Sequence, residues 1–191
     1  MGTDGEDTRP VWLLDVDGVL NAATPFPERD AWPDWSSGWA VAAGSRWPIR
    51  WAPPVVTAIR HVLDHELADV RWLTTWLDDA NASLGPLLGL PELPVVPRPA
   101  DRQAAAHGFL GSRSGGSGGW WKLAAARALL DPQPGRPLVW TDDDLVWEPD
   151  AVAWAEGRQG PTLLIAPETD VGLTAESLAA VVAFCLEPEL G

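Results

Sequence analysis

The chain has little of several residue types that carry disulfide, zinc or nucleic-acid chemistry. Its 191 residues include one cysteine, Cys185, no tyrosine and one lysine, Lys122. One cysteine excludes an intramolecular disulfide and a cysteine-based zinc cluster, and we expect Cys185 to pack as a small apolar group. The formal net charge is −14 and no basic run is present. No nucleic-acid-binding surface is therefore evident.

Long apolar runs are also missing. No uninterrupted apolar run approaches the roughly 20 residues that span a bilayer, and residues 1–9 lack the apolar segment of a signal peptide. We therefore expect a cytoplasmic protein with no membrane partner. Low lysine beside abundant alanine, arginine and proline is typical of a GC-rich bacterial genome.

Short apolar segments of strand length alternate along the chain with longer segments of helix length. Five of strand length are Val11–Leu14, Val70–Leu73, Leu93–Val96, Pro137–Trp140 and Thr162–Ile165. Helices are predicted at Pro54–Leu67, Asp78–Leu84 (interrupted by Gly85-Pro86), Trp120–Leu130 and Thr174–Leu186, with Thr174 as N-cap. The alternation favours an α/β fold, a parallel sheet with helices on both faces. We expect one domain over residues 10–191, preceded by a disordered tail over 1–9.

Two segments depart from this alternation. Residues 21–54 are dense in proline and tryptophan, and Trp39–Val41 and Ile49–Trp51 flank the turn signal Gly44-Ser45. We interpret this segment as a packed flap that contains a β-hairpin. Residues 108–119 are rich in glycine and serine and predict a mobile loop. They lack the Gly-Lys-Ser/Thr ending of a phosphate-binding loop.

Acidic and hydroxyl side chains follow three of the predicted strands. Asp15 and Asp17 follow the first, Thr74 and Thr75 the second, and Asp142–Asp144 the fourth. Because the carboxyl ends of parallel strands share one edge of a sheet, we expect these side chains to converge. Carboxylates held together repel one another unless a cation intervenes, and hard oxygen ligands suit Mg²⁺.

Lys122 is the cation that the sequence offers for this edge. Every other basic side chain apart from histidine is arginine, so the lysine suggests a role for a compact ammonium donor. A plainer alternative for Asp142–Asp144 is capping of a helix N-terminus. His61 and His65 have the i,i+4 spacing of zinc ligands, but no third ligand is evident nearby, and we expect surface residues.

Taken in order, the motifs of the chain resemble those of the haloacid dehalogenase (HAD) superfamily of phosphohydrolases. The motifs are Asp15-Val16-Asp17-Gly18-Val19 after a strand, Leu73-Thr74 at the end of a second, Lys122, and Asp142-Asp143 after a later strand. They span about residues 11–165. The resemblance implies a Rossmann-like fold. The gaps between the motifs are too short for a full cap, so the flap would stand in its place.

The resemblance also implies roles for the acidic residues. Asp15 would attack phosphorus and form an aspartyl-phosphate. Asp17 would protonate the leaving oxygen and then deprotonate the water that breaks the intermediate. Mg²⁺ would be held by the Asp15 side chain, the Asp17 backbone carbonyl and the acidic pair, with Asp143 preferred over Asp142.

The remaining motif residues would bind the phosphoryl group. Thr74 would donate a hydrogen bond to it, with Thr75 as the alternative, and Lys122 would balance its charge. The resemblance thus predicts a Mg²⁺-dependent hydrolase of a phosphate monoester. The alternatives are a phosphotransferase and a non-catalytic binding or regulatory domain. Substrate size stays open, because an uncapped site admits large substrates or is closed by a second copy or a protein partner.

Overall fold

Six strands and five α-helices are present in the computed structural model, which describes residues 8–27, 31–99 and 119–188. The strands are β1 (Val11–Leu14), β2 (Ser36–Ala42), β3 (Ser45–Trp51), β4 (Asp69–Trp72), β5 (Leu138–Thr141) and β6 (Thr162–Ile165). The helices are α1 (Pro53–Asp64), α2 (Gly85–Leu88), α3 (Trp121–Leu130), α4 (Pro149–Glu156) and α5 (Ala175–Leu186). Within these described ranges, no helix has the length and apolar character needed to span a membrane.

Four of the strands form a parallel sheet in the order β4-β1-β5-β6. Leu14 pairs with Trp72 on one side and with Thr141 on the other, and Thr141 pairs with Ile165. The segments that follow the four strands therefore start level with one another along one edge. This arrangement confirms the predicted α/β, Rossmann-like fold.

Helices cover both faces of the sheet, because alternate side chains of a strand point to opposite faces. Trp12 and Leu14 of β1 join a buried cluster with α1 and α5, whereas Val11 and Leu13 join a second cluster with α3 and α4. All four of these side chains are buried. A strand buried on both faces is a continuous apolar run in the sequence, as β1 is.

The predicted hairpin is present, with β2 and β3 antiparallel. Its turn lies one residue earlier than predicted, because Ala42 pairs with Ser45 and leaves Ala43-Gly44 as the two-residue loop. Both loop residues have positive φ, 50° and 72°, as in the type I′ turn that matches the twist of paired strands. The interpretation of all of residues 21–54 as a flap stays a prediction.

Two helix predictions were wrong at their ends. The first helix stops at Asp64 rather than Leu67, because Glu66 takes a left-handed conformation with φ of 52°. Gly85-Pro86 does not interrupt a helix. A π-helical turn, Ala80–Leu84, runs directly into α2, which starts with these two residues. Proline is well tolerated there because the first turn of a helix needs no N–H donor.

The weak strand predicted at Leu93–Val96 is not a strand of the sheet. Its contact with the sheet is an isolated bridge between Val95 and Trp72 at the edge of β4. The Trp72 N–H donates to the Pro94 carbonyl at 2.9 Å, and the Val96 N–H donates to the Trp72 carbonyl at 2.8 Å. Neighbouring prolines cannot donate to a ladder, which limits the pairing to one residue.

Two elements were missed by sequence analysis, the 3₁₀ turn Asp143–Trp147 and helix α4. Leu145 is the buried residue of that turn, so no helical apolar period marked it. Residues 1–7 of the predicted tail and 108–118 of the predicted mobile loop lie outside the described residues. Both therefore stay predictions, as does the single domain over residues 10–191.

Candidate active site

The loop after β1 presents its carboxylates through a tight turn. The Gly18 N–H donates to the Asn21 carbonyl at 2.8 Å, and the N–H groups of Leu20 and Asn21 donate to Val16. Gly18 has a φ of 72°, and a Cβ at this position would overlap the Asp143 carboxylate. Glycine is therefore required for two reasons, its left-handed backbone and the close approach of the acidic pair.

Lys122 joins two carboxylates at the carboxyl edge of the sheet. Its Nζ donates to Asp15 Oδ2 and to Asp142 Oδ2, each at 2.7 Å. All three residues are buried. Helix α3 carries the lysine at its second residue. An isolated buried ammonium is very unfavourable, so these two ion pairs explain how the chain tolerates its one lysine in the interior.

The buried charges shift one another's protonation. Burial alone lowers the pKa of Lys122, but the charges of Asp142 and Asp15 outweigh it and leave that pKa well above its usual value. Burial raises the pKa of Asp142 well above the usual carboxyl value, even though Lys122 opposes this shift. One ammonium between two buried carboxylates leaves negative charge uncompensated.

Asp143 faces the same cluster from the next position. Its Oδ2 accepts a 2.6 Å hydrogen bond from the Thr169 hydroxyl, in the segment after β6. Burial raises its pKa to about 6, with a smaller contribution from the charge of Asp15. Asp142 also accepts from the Asp144 N–H at 3.2 Å through Oδ1 and so caps the 3₁₀ turn. Asp142 therefore caps a helical turn, as the plainer alternative predicted, and also belongs to the carboxylate cluster.

These carboxylates form a set of oxygens suited to a metal ion. One oxygen from each of Asp15, Asp142 and Asp143 lies within 4.8 Å of the other two. The raised pKa values of Asp142 and Asp143 indicate an environment that disfavours further negative charge. A hard divalent cation such as Mg²⁺ takes carboxylate oxygens and would offset that charge. The donor set therefore fits Mg²⁺.

The side chain of Asp17 points to a different set of partners. Its Oδ2 accepts from the Trp76 indole N–H at 2.8 Å and its Oδ1 from the Asn21 amide at 2.7 Å. Burial raises its pKa, and these two hydrogen bonds lower it in part. Asp17 thus contributes no carboxylate to the group of three oxygens. Its predicted ligand atom is the backbone carbonyl, which stays a prediction.

The two threonines after β4 differ in exposure. Thr74 is buried, and its Oγ1 accepts from the Trp76 N–H at 3.3 Å, whereas Thr75 is exposed. The Leu73 N–H donates to the Leu14 carbonyl at 3.0 Å, which sets Thr74 beside the start of the Asp15 loop. The phosphate-binding role of either threonine stays a prediction.

The histidines predicted as surface residues are both exposed, His61 on α1 and His65 at its C-cap, and their rings lie tilted at 44° with centroids 4.3 Å apart. His61 lines an apolar groove with Pro53 and Val182. In the described ranges, the group of three possible metal ligands consists of aspartates alone. Cys185 is buried on α5, as predicted, and burial raises the pKa of its thiol to about 11.

Sequence analysis missed three residues that contact the predicted site, Asn21, Trp76 and Thr169. Asn21 and Trp76 hold Asp17, and Thr169 holds Asp143. Each follows the carboxyl end of a different strand within seven residues. Position after a strand was therefore an available signal, although it could not select these residues among their neighbours.

Comparison with known proteins agrees with this arrangement. The model of one protein family, described as the HAD domain in Swiss Army Knife RNA repair proteins, matches residues 11–178. Comparison with curated proteins and with solved structures found no match. The family match covers most of the chain, including all four strands of the parallel sheet and every motif residue named above. The chain therefore belongs to the family of HAD domains found in Swiss Army Knife RNA repair proteins.

Proposed function

We propose that the protein is a Mg²⁺-dependent phosphohydrolase that cleaves a phosphate monoester through an aspartyl-phosphate. The observation that carries this proposal is the buried bridge from Lys122 to Asp15 and Asp142, with Asp143 beside it. A HAD domain supports phosphoryl-transfer chemistry of the hydrolase or transferase kind. The charge of the cluster also supports the metal dependence. Three carboxylates repel an anionic phosphoryl group unless a bound cation offsets their charge.

Asp15 is the nucleophile in this mechanism. Lys122 holds Oδ2 of its carboxylate at 2.7 Å, so we assign Oδ1 as the attacking oxygen. The Oδ1–phosphorus bond forms as the bond from phosphorus to the leaving oxygen breaks. The ammonium of Lys122 then balances charge on the phosphoryl group, and Thr74, with Thr75 as the alternative, donates a hydrogen bond to it.

A magnesium ion would be held by the carboxylates of Asp15, Asp142 and Asp143 and the backbone carbonyl of Asp17. When bound, it supplies shielding between the nucleophile and its anionic substrate. The chain's own contribution is to keep three carboxylate oxygens within 4.8 Å of one another. The Thr169 hydroxyl orients Asp143 for this purpose.

Asp17 is the acid and base. It gives a proton to the leaving oxygen in the first step and takes one from the attacking water in the second. Burial raises the pKa of Asp17, which suits a carboxyl group that must start the cycle protonated. A carboxyl group at this position favours hydrolysis over the reactions of family branches that lack a carboxylate there, because it activates water.

The substrate class that we favour is a phosphorylated RNA end. Its main support is the description of the family, which names RNA repair proteins. Phe26 and Trp147, on the segments that follow β1 and β5, are 86% and 69% exposed, and exposed aromatic rings stack on single-stranded bases. This substrate runs against the sequence-based expectation of no evident nucleic-acid binding. With a net charge of −14, contact would be confined to the strand end.

The test compares wild type with Asp15→Asn on 4-nitrophenyl phosphate and on short RNA with a 3′- or 5′-terminal phosphate. Phosphate release should need Mg²⁺, disappear with EDTA and fall at least about a thousandfold in the variant. Added glycerol separates the transferase alternative, because a transferase would form glycerol phosphate in place of inorganic phosphate. Release that survives Asp15→Asn, or no release from any of these substrates, contradicts the proposal.

A further inference from the structure

The carboxylate of Asp17 is held at both of its oxygens by side chains from two different segments. Trp76, from the turn after β4, donates to Oδ2 at 2.8 Å, and Asn21, from the loop after β1, donates to Oδ1 at 2.7 Å. Two donors on opposite oxygens restrict rotation of a carboxyl group about its terminal bond. One donor alone would leave that rotation open.

We propose that Trp76 and Asn21 are positioning residues that aim Asp17 at the leaving oxygen. The inference rests on the proposed function, since it concerns the acid and base of that reaction. Neither residue needs to touch the substrate. Their effect is to keep the Asp17 carboxyl group in one orientation while proton transfer takes place, and proton transfer depends strongly on such alignment.

Trp76 is held firmly enough for this role. Its side chain is 2% exposed, and its backbone N–H donates to the Thr74 hydroxyl at 3.3 Å. The Leu77 N–H donates to the Thr74 carbonyl at 3.2 Å, and Leu77 takes a left-handed φ of 48°. One tight turn therefore carries both the predicted phosphate-binding hydroxyl and the indole that holds Asp17. A shift of this turn would move both together.

Asn21 connects Asp17 to the β2–β3 hairpin. While its amide nitrogen donates to Asp17, its Oδ1 accepts from the Arg50 N–H at 2.8 Å. The Ala22 N–H also donates to the Arg50 carbonyl at 2.9 Å. A carboxamide can donate and accept at once, which a carboxylate cannot. Asparagine at this position thus links the end of β3 to the acid and base.

A purely structural role would also place an indole N–H on a buried acceptor, so the test needs a readout specific to proton transfer. Nitrophenolate leaves without a proton, whereas an alkoxide leaves only when protonated. In Trp76→Phe, we expect kcat/KM for 4-nitrophenyl phosphate to fall by less than about fivefold. For an alkyl phosphate such as glycerol phosphate, we expect a fall of about a hundredfold, the lower end of general-acid contributions.

Trp154→Phe is the matched control. It removes an indole N–H that donates to a carboxylate, Asp131, at 3.1 Å at the far ends of α3 and α4. Both substrates should keep their wild-type kcat/KM within about twofold, because this half-buried indole donates at the opposite end of α3 from Lys122. Asn21→Ser is the second variant, and it decides by the same criterion if Trp76→Phe does not fold.

Combination with Asp17→Asn sharpens the result. If Trp76 acts through Asp17, Trp76→Phe should change nothing further once the carboxyl group is gone. Equal losses on the two substrates in the folded variants, or full additivity with Asp17→Asn, would overturn the inference. Failure of the proposed function is a separate outcome, because it requires wild-type activity to be absent or to survive Asp15→Asn.

Discussion

The two edges of the sheet each contain an ion cluster, buried at the carboxyl edge and partly buried at the amino edge. At the carboxyl edge, one ammonium, Lys122, lies between the carboxylates of Asp15 and Asp142. At the amino edge, one carboxylate, Asp69, lies between the guanidinium groups of Arg71 and Arg136 at 2.8 and 3.0 Å. A cation is thus central to the first cluster and a carboxylate is central to the second.

The two clusters differ in how the remaining hydrogen-bonding atoms of their side chains are satisfied. Arg136 also donates to the Arg9 carbonyl at 2.9 Å and to Gln133 at 3.2 Å, so neighbouring protein oxygens take up its spare donors. At the carboxyl edge, Asp143 adds a third carboxylate to the acid surplus. Spare carboxylate oxygens need a cation, and a surplus of this kind is typical of a functional site. A similar surplus of arginine donors can be satisfied by the fold alone.

The largest contrast should come from removing the central cation of the carboxyl edge. Lys122→Met leaves buried carboxylates without their partner, so we expect the free energy of unfolding to fall by about 3–5 kcal/mol. Phosphatase activity should fall at least about a thousandfold. Urea unfolding followed by circular dichroism and phosphate release measure the two effects. Mg²⁺ should recover part of the stability, since it binds the folded cluster.

The control for this prediction is Arg136→Met at the amino edge. Asp69 keeps Arg71, so we expect a smaller loss of about 1–3 kcal/mol and activity within about threefold of wild type. Equal losses of activity in the two variants would contradict the contrast between the edges.

Neutralising one carboxylate at each edge should separate stability from activity. Asp15→Asn relieves the acid surplus, so its stability should match or exceed that of wild type without Mg²⁺, while activity is lost. Asp69→Asn removes the ion pairs that Arg71 and Arg136 make with Asp69 and should lose about 2–3 kcal/mol with activity retained. Thermal unfolding and phosphate release test both. A large destabilisation by Asp15→Asn would show that the carboxyl edge is also primarily structural.

Mg²⁺ affinity should depend on pH through the acid surplus. The pKa of Asp143 is raised to about 6 by burial, and a ligand carboxyl must lose its proton before it binds metal. We expect the dissociation constant to be nearly constant above pH 7 and to rise about tenfold per pH unit below 6. Isothermal titration calorimetry from pH 5 to 8 measures it. Asp143→Asn should bind more weakly at high pH and lose part of this dependence.

The same group predicts the sign of the stability change without metal. Its folded pKa lies above the usual carboxyl value of 3.8, so the folded state holds more protons between those values. The contribution of Asp143 to stability is therefore present at low pH and lost as pH rises toward 6. Added Mg²⁺ should reverse this trend. If Asp143→Asn left the pH dependence of the stability of the metal-free protein unchanged across that window, the predicted contribution of Asp143 would be contradicted.

The smallest expected effects come from two glycines with the same backbone angle. Gly18 and Gly44 both have φ of 72°, but a Cβ meets the Asp143 carboxylate only at Gly18 and finds open space at Gly44. Gly44→Ala should cost about 1 kcal/mol for the left-handed backbone alone. Gly18→Ala should cost more and also weaken Mg²⁺ binding, because Asp143 must move. Equal stability losses with unchanged Mg²⁺ affinity would contradict the close approach.

Much of the site could be predicted because the strands themselves were visible. Val11–Leu14 and Thr162–Ile165 were predicted with their observed bounds, and the carboxyl edge of a parallel sheet collects whatever follows its strands. Asp15, Asp142 and Lys122 meet there, although Lys122 and Asp15 are 107 positions apart in the chain. The composition also marked Lys122, because a chain that uses arginine elsewhere has kept one lysine.

Other parts could not be predicted, for particular reasons. The prolines around Leu93–Val96 removed the donors that a strand needs, although the segment has a strand's apolar pattern. No sequence pattern marks Asn21 or Trp76. Their role depends on the hydrogen bonds that they donate to the two oxygens of Asp17. Thr74 is buried and Thr75 is exposed, and this difference depends on how the turn after β4 packs.

The sequence by itself determined the α/β class, the four strands of the parallel sheet to within one residue, and the pair of carboxylates that follows the first one, because apolar period and strand length are local properties. Only the tertiary structure decided that Lys122 pairs with both Asp15 and Asp142, and that Trp76 holds Asp17 across 59 residues. The physical reason is that a hydrogen bond requires about 3 Å and a particular direction. Packing of distant segments sets both quantities, and neither is encoded in the neighbours of a residue along the chain.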